Sequence, residues 1–316
     1  MINETLPLYH FPQLREGDCF YDILARFHAH SGHLSSRASS LELFGSTPNL
    51  VPSVTLPYRA DLICRWLGTE SKITPKLIRD SHSAWQYLQL GSRFSEDDLR
   101  PIMRACAKPG RRKQGSMIRL LQQGVMFLRY CPVCIITDRM QVNEAYWHQA
   151  HQLYGVKYCP FHGIPLRNSP VRISSKLRRY MPAETVFKDA NSEYLLTQAA
   201  EFNQESDQFY AAFLELSKTI SWLLSHGLEL ETGTPLRMRY SLALGLSPDE
   251  TLRGNRLRTL LLQTGGEEFL KQLYPGNAYE ALLSLTDSGV DKFSPLEHAL
   301  VITVLGCNSV LTDYKT

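Results

Sequence analysis

Two cysteine-bearing knuckles in one short span constrain this chain more than any other feature. "YCPVC" at residues 130–134 is followed by "YCPFHG" at 158–163, which gives Cys131-x2-Cys134-x24-Cys159-x2-His162. A two-residue gap lets both donors of a knuckle turn toward one ion, and two knuckles supply a tetrahedron. Pro132 and Pro160 stiffen the knuckles, and Gly163 lets the chain turn away after the last donor. Thiolate with imidazole selects Zn²⁺ over hard cations, with iron the other soft candidate. Three of the seven cysteines fall within 29 residues here, while Cys19, Cys64, Cys106 and Cys307 are scattered. That usage fits a reducing, cytoplasmic setting in which clustered cysteines bind metal and lone ones pack in cores. The expectation is one structural Zn²⁺ on Cys131, Cys134, Cys159 and His162.

Four protein donors close the coordination shell, whereas a hydrolytic zinc keeps three donors and an open position beside a carboxylate base. "EAYWHQAH" at 144–151 lacks the His-Glu-x-x-His order of zinc proteases. His148 and His151, three apart on a predicted helix face, are either substitutes for a cysteine donor, supports of the site, or plain packing residues. There is no GxxxxGK[ST] loop and no inferable Ser/His/Asp or Cys/His grouping. The carboxylates of "GLSPDE" and "GGEEF" read as helix starts. The chain is therefore read as a non-enzyme, and a zinc hydrolase would require an open metal position.

Around the knuckles the periodicity is helical. Asp18 reads as the N-cap of a helix through "CFYDILARFHAHSG", with Phe20, Ile23, Leu24 and Phe27 on one face. "LSSRASSLELFG" follows after a tight turn and stops at Gly45, so the two form a helix-turn-helix-like pair. Further helices are predicted at 58–68, at 74–81 with Thr74 as cap and Pro75 in the first turn, and from Ser95 onward. Short β-like pieces are expected at "VMFLRYCPVC" and "GVKYCPFHGIPL". The polar stretch "RNSPVRISSKLRRYMPAET" reads as a boundary. Beyond it, Phe202, Phe209, Phe213, Leu216, Ile220 and Leu223 mark an amphipathic helix ending at Gly227. The fold class is mainly α: an N-terminal helix-turn-helix-like helical domain (1–124), a central small zinc-finger region (125–168), and a linker with a C-terminal helical domain (169–316).

The net charge is only +3, so a nucleic-acid surface has to come from local clusters. Seven Lys/Arg and no acid lie between Arg100 and Arg119, including Arg111, Arg112 and Lys113. Five more lie between Arg167 and Arg179, including Lys176, Arg178 and Arg179. These are the candidate phosphate contacts, against the plainer reading of solvated faces. "RGNRLR" at 253–258 is a weaker third group. No stretch reaches 18 apolar residues and no signal peptide opens the sequence, so no membrane partner is expected.

The ordered set "CPVC … EAYWHQAHQLYGVKYCPFHGIPL", preceded by "EGDCFYDILARFHAHSG" and "LELFGS", resembles the TnsD/TniQ family of transposon target-selection proteins. "FSPLEHALVITVLG" resembles the end of the core in the TnsD branch. The resemblance implies a non-enzymatic adaptor that marks an insertion site on double-stranded DNA. It also implies recruitment of an AAA+ ATPase regulator (TnsC-like), with transposase subunits or an RNA-guided complex as further partners. It places the zinc ligands at the same four residues and the ATPase-docking region at Tyr9, His10, Phe11 and the first helix. TnsD-like proteins usually continue into further helical modules. A chain stopping at Thr316 is thus expected to be a truncated core or a short member helped by a partner. The competing reading is a zinc-stabilised helix-turn-helix transcriptional regulator, which needs a symmetric dimer and a palindromic site but no ATPase.

Overall fold

Local capping signals set several of the helices. The computed structural model describes residues 11–45, 54–90, 96–104, 125–173, 179–201, 207–226, 236–245, 255–274 and 293–306, and these are mostly helical. In chain order they form α1 (Phe20–His30), α2 (Ser36–Phe44), α3 (Ala60–Leu67), α4 (Pro75–Ser81), α5 (Trp85–Leu88) and α6 (Glu96–Met103). There follow β1 (Phe127–Tyr130), α7 (Pro132–Val142), a 3₁₀ turn (Ala150–Gln152), β2 (Arg167–Arg172), α8 (Ala183–Val186) and α9 (Ser192–Ala200). The last elements are α10 (Asp207–His226), α11 (Leu236–Ala243), α12 (Asn255–Leu273) and α13 (Pro295–Leu305). The chain divides into two compact units. One comprises residues 1–85, 96–154 and 164–202, and the other 86–95, 155–163 and 203–316.

In the first unit α1 is the central element. Phe20, Tyr21, Ile23, Leu24, Ala25 and Phe27 are all buried, and so are its charged residues Asp22 and Arg26. Each large apolar side chain buried this way contributes roughly 1.5–3 kcal/mol. α2 begins as expected, with Ser35 accepting from the Ala38 amide, and ends on Gly45 at φ 62°. α4 has the predicted Thr74 cap and Pro75 in its first turn. Asp18 is not the cap of α1: Cys19 occupies that position without a side-chain bond. The Asp18 carboxylate instead pairs with Arg26 and His82 in the interior. A tertiary ion network has taken the residue that the local pattern assigned to a helix end.

The small sheet also departs from expectation. β1 pairs antiparallel with β2, Arg129 opposite Asn168 and Tyr130 opposite Arg167, with an irregularity between Phe127 and Arg129. "GVKYCPFHGIPL" is not the partner strand. The partner comes from the polar "RNSPVR" segment that reads as a boundary. It alternates buried Ser169 and Val171 with exposed Asn168, Pro170 and Arg172. Pro170 is tolerated because β2 is an edge strand. Within "VMFLRYCPVC" the expected β-like piece is present as β1, but it ends at Tyr130 and Pro132 is the first residue of α7.

In the second unit α10 carries the predicted stripe, with Phe213, Leu216, Ile220 and Leu223 fully buried and Phe209 partly so. Phe202 lies outside the described residues. α10 packs on α12 and α13, and α12 kinks at Gly266, so "GGEEF" does start a new helical segment. α13 opens with a capping box between Ser294 and Glu297. His298 on α13 sits against Phe293 and Tyr240, and its Nδ1 lies 2.9 Å from the Tyr240 hydroxyl. Burial pulls its pKa from the ordinary 6.5 down to about 4. Below pH 6.5 the unfolded chain gains a proton that the folded His298 refuses, so stability falls as pH drops from about 6.5 toward 4. The loss is on the order of 3 kcal/mol at the acid end. Urea unfolding as a function of pH should show this slope and H298Q should flatten it; an unchanged slope would clear His298 of the effect.

Candidate metal centre

The first knuckle is a helix start. Cys131 holds the extended N-cap conformation (φ −105°, ψ 128°), Pro132 enters the first turn and Cys134 follows within it. The fixed φ of proline suits that first position, and the amides of the opening turn favour negative charge nearby, which eases a thiolate there. The second knuckle is a tight turn. The Gly163 amide donates to the Cys159 carbonyl at 2.9 Å, and Gly163 takes φ +67°. A β-carbon at Gly163 would meet the Tyr210 hydroxyl at 2.6 Å, so this position needs glycine for both its backbone and its space.

The thiols of Cys131, Cys134 and Cys159 and the imidazole of His162 offer donor atoms that all lie within 4.8 Å of one another. Cys159 Sγ and His162 Nδ1 are 3.5 Å apart. Around an ion with metal–sulfur bonds of about 2.3 Å, neighbouring donors of a tetrahedron sit roughly 3.5–3.8 Å apart. The three cysteines are buried and none is in a disulfide. Buried sulfurs converging on an imidazole, rather than pairing with each other, fit a soft or borderline metal, and this cluster could bind one. Three of its donors are fully enclosed and His162 is the least buried.

His148 and His151 are not on a regular helix face. His148 precedes the 3₁₀ turn, and its Nε2 donates to Asp138 at 2.9 Å. His151 lies in that turn, fully buried, with Nε2 3.9 Å from Cys134 Sγ. The segment carrying both histidines is fastened from its other side. The Cys19 amide donates to the Trp147 carbonyl at 3.1 Å, the Gln149 amide to the Gly17 carbonyl at 2.7 Å, and the Trp147 amide to Asp22 at 2.7 Å. The Trp147 indole donates to the Met181 carbonyl at 2.8 Å. Arg15 reaches Glu144 through both its carboxylate and its carbonyl.

Two polar clamps in this unit escaped the sequence reading. The first is the buried network of Asp18, Asp22, Arg26 and His82. Its only signal is the four-residue spacing of Asp18, Asp22 and Arg26. The second joins Arg139 of α7 to Glu184 of α8, with Nη1 and Nη2 also donating to the carbonyls of Ala190 and Phe187. Burial works against the Glu184 carboxylate. Its hydrogen bonds from Arg139 and the Ala145 amide outweigh that and hold its pKa below the ordinary value. Nothing local predicts an ion pair across 45 residues.

Of the candidate DNA contacts, Arg179 is exposed, and its carbonyl accepts from the Tyr21 hydroxyl at 3.1 Å. Arg111, Arg112, Lys113, Lys176 and Arg178 lie outside the described residues. So do Tyr9 and His10 of the candidate docking segment. Phe11 is half-buried against Phe27 of α1, ring centroids 6.2 Å apart. α1 itself presents surface only near its C-terminal end, at His28, Ala29 and His30. Among the described residues no helix is long and apolar enough to cross a membrane. A family model described as TniQ matches residues 10–166, a span that contains all four candidate metal donors. No curated protein matches the chain.

Proposed function

The chain belongs to the TniQ family through residues 10–166, a family associated with transposition, and from this premise we propose that it is a target-selection adaptor. In this reading it binds target DNA and recruits an AAA+ ATPase regulator, which licenses a separate transposase; the chain itself performs no catalysis. The observation that carries the reading is the family match over the segment in which the four donors converge.

The donor set is Cys131, Cys134, Cys159 and His162, and its three thiols with one imidazole suit Zn²⁺. Such an ion would tie these four residues, and the backbone that carries them, to one point. Four protein donors leave no position for a substrate water, so the role fits architecture rather than hydrolysis. The chain's own residues do the remaining work. Asp22, Asp138 and the Gly17 carbonyl hold the 147–152 segment. Basic side chains, with Arg111, Arg112 and Lys113 as the first candidates, meet phosphates. Phosphate contacts position a protein on DNA without reading its sequence.

The test is binding of the purified chain to duplex DNA at several salt concentrations, with and without a cognate AAA+ ATPase. Binding is expected to weaken steeply with salt. Replacing Arg111, Arg112 and Lys113 together by alanine should lower the log–log slope by roughly 2–3, given about 0.9 per phosphate contact. An unchanged slope removes that segment from the interface. Absence of binding in every arm sinks the adaptor reading. Binding as a symmetric dimer to a palindrome without any ATPase effect would favour the transcriptional regulator instead.

A further inference from the structure

Cys134 and Asp138 are four residues apart on α7 and therefore project from the same side of the helix. Opposite them stand His151 and His148, three apart in the facing segment. The two pairs form matched rungs, with His148 Nε2 to Asp138 at 2.9 Å and His151 Nε2 to Cys134 Sγ at 3.9 Å. The two imidazoles lie against each other with centroids 4.8 Å apart, and Tyr146 stacks on His148 at 4.2 Å. All four rung residues are buried. Nothing in the donor set alone requires a second histidine at this distance from a sulfur.

We propose that His151 is a positioning residue of the metal centre, donating its Nε2–H to the Cys134 thiolate, with the Asp138–His148 rung fixing the segment from which it donates. The proposal rests on the metal reading above. A metal-bound thiolate carries no proton, so in the loaded state the imidazole has to be the donor. Three thiolates around a divalent ion leave one net negative charge in a buried site. An N–H aimed at one sulfur offsets part of that charge where water cannot. His151 thus has a different task from His162: it holds a ligand rather than the ion.

The test uses the purified, zinc-loaded full chain and follows metal transfer to a chromogenic chelator together with thiol modification by a disulfide reagent. H151F keeps a ring but loses the donor, and H151Q keeps an N–H. H151F is expected to release zinc about 10–100-fold faster and to expose its thiols correspondingly sooner, the range usual for lost outer partners of a metal ligand. H151Q should stay within a few-fold of the unsubstituted chain. Release from H151F at the unsubstituted rate would overturn the proposal, as would H151Q failing as badly as H151F, since volume rather than hydrogen bonding would then be what matters. A variant-free readout stands beside these, decisive even if H151F does not fold. With ¹¹³Cd in the site and ¹⁵N-labelled histidine, a through-bond coupling from cadmium to the His151 Nε2–H should appear, and its absence would reject the hydrogen bond. If the unsubstituted chain binds no metal at all, the metal reading fails and this proposal with it, whereas a loaded chain without the coupling overturns this proposal alone.

Discussion

Stripping the metal, or replacing Cys131 or Cys159 by serine, is expected to abolish the native unfolding transition rather than shift it by a few degrees. Binding at a closed site of this kind is worth on the order of 10–16 kcal/mol apparent at neutral pH. The whole net stability of a domain is only about 5–15 kcal/mol. Without an ion, donors that lie within 4.8 Å of one another are no longer joined by coordinate bonds. The two knuckles would then lose the constraint that brings residues 28 apart in sequence, Cys131 and Cys159, to one point. H162A should be milder, because three buried thiolates remain and water can take the place of the least buried donor. Metal content by mass spectrometry, paired with far-UV circular dichroism and limited proteolysis, checks the order. An apo protein with an unchanged transition would show the cluster to be incidental to the fold. Hydrolytic activity in the unsubstituted loaded chain that H162A abolishes while leaving the fold intact would reopen the catalytic reading.

The knuckles were legible because a two-residue spacing is a local constraint: whatever the rest of the chain does, Cys131 and Cys134 share one turn. The same holds for the Thr74 cap, the Gly45 stop and the apolar stripe of α10, each set by residues within one or two turns. What failed depended on distant partners. β2 looks like a polar linker because its strand character comes from β1, about 40 residues earlier. The Cys-Pro-x-Cys pattern reads equally well as a turn or as a helix start, and α7 is settled by its packing on α9. His148 and His151 stand out in the sequence as a pair, but only the placement of Asp138 and Cys134 gives them separate surroundings. The basic segments remain at the level of sequence, with Arg179 alone of the six candidate contacts among the described residues.

Asp18 is held in the interior by a cation eight residues on rather than at a helix end, and R26M is expected to cost about 3–5 kcal/mol at neutral pH, the range for breaking a buried ion pair from one side. Arg26 is about 1% exposed and serves both carboxylates, Nε to Asp22 at 2.6 Å and Nη2 to Asp18, while Nη1 donates to the Gln13 carbonyl at 2.8 Å. His82 and the Arg15 amide, at 3.0 Å, are further partners of the Asp18 carboxylate, and the Phe20 amide donates to the His82 carbonyl at 2.9 Å, so the network also fixes where α1 begins. Burial pushes the Asp22 pKa from 3.8 up to about 6, with Arg26 opposing the rise and Asp18 adding to it. Removing Arg26 takes away the opposing charge, so the folded-state pKa of Asp22 climbs further above its unfolded value. The folded chain then binds more protons than the unfolded chain over a wider window. The penalty of R26M should therefore grow as pH rises from about 4 through 6 and beyond, and shrink in mild acid. R26M/D22N removes one stranded carboxylate with the cation and should recover part of the loss. Urea unfolding at pH 5 and pH 8 decides the matter: a cost below about 1 kcal/mol, or one independent of pH, would mean that water or rearranged side chains solvate these carboxylates after all. The Trp147 amide donates to the other oxygen of Asp22. The same substitution should therefore loosen the segment that carries His148 and His151 and speed metal release, which joins the charge network of α1 to the behaviour of the metal centre in one variant.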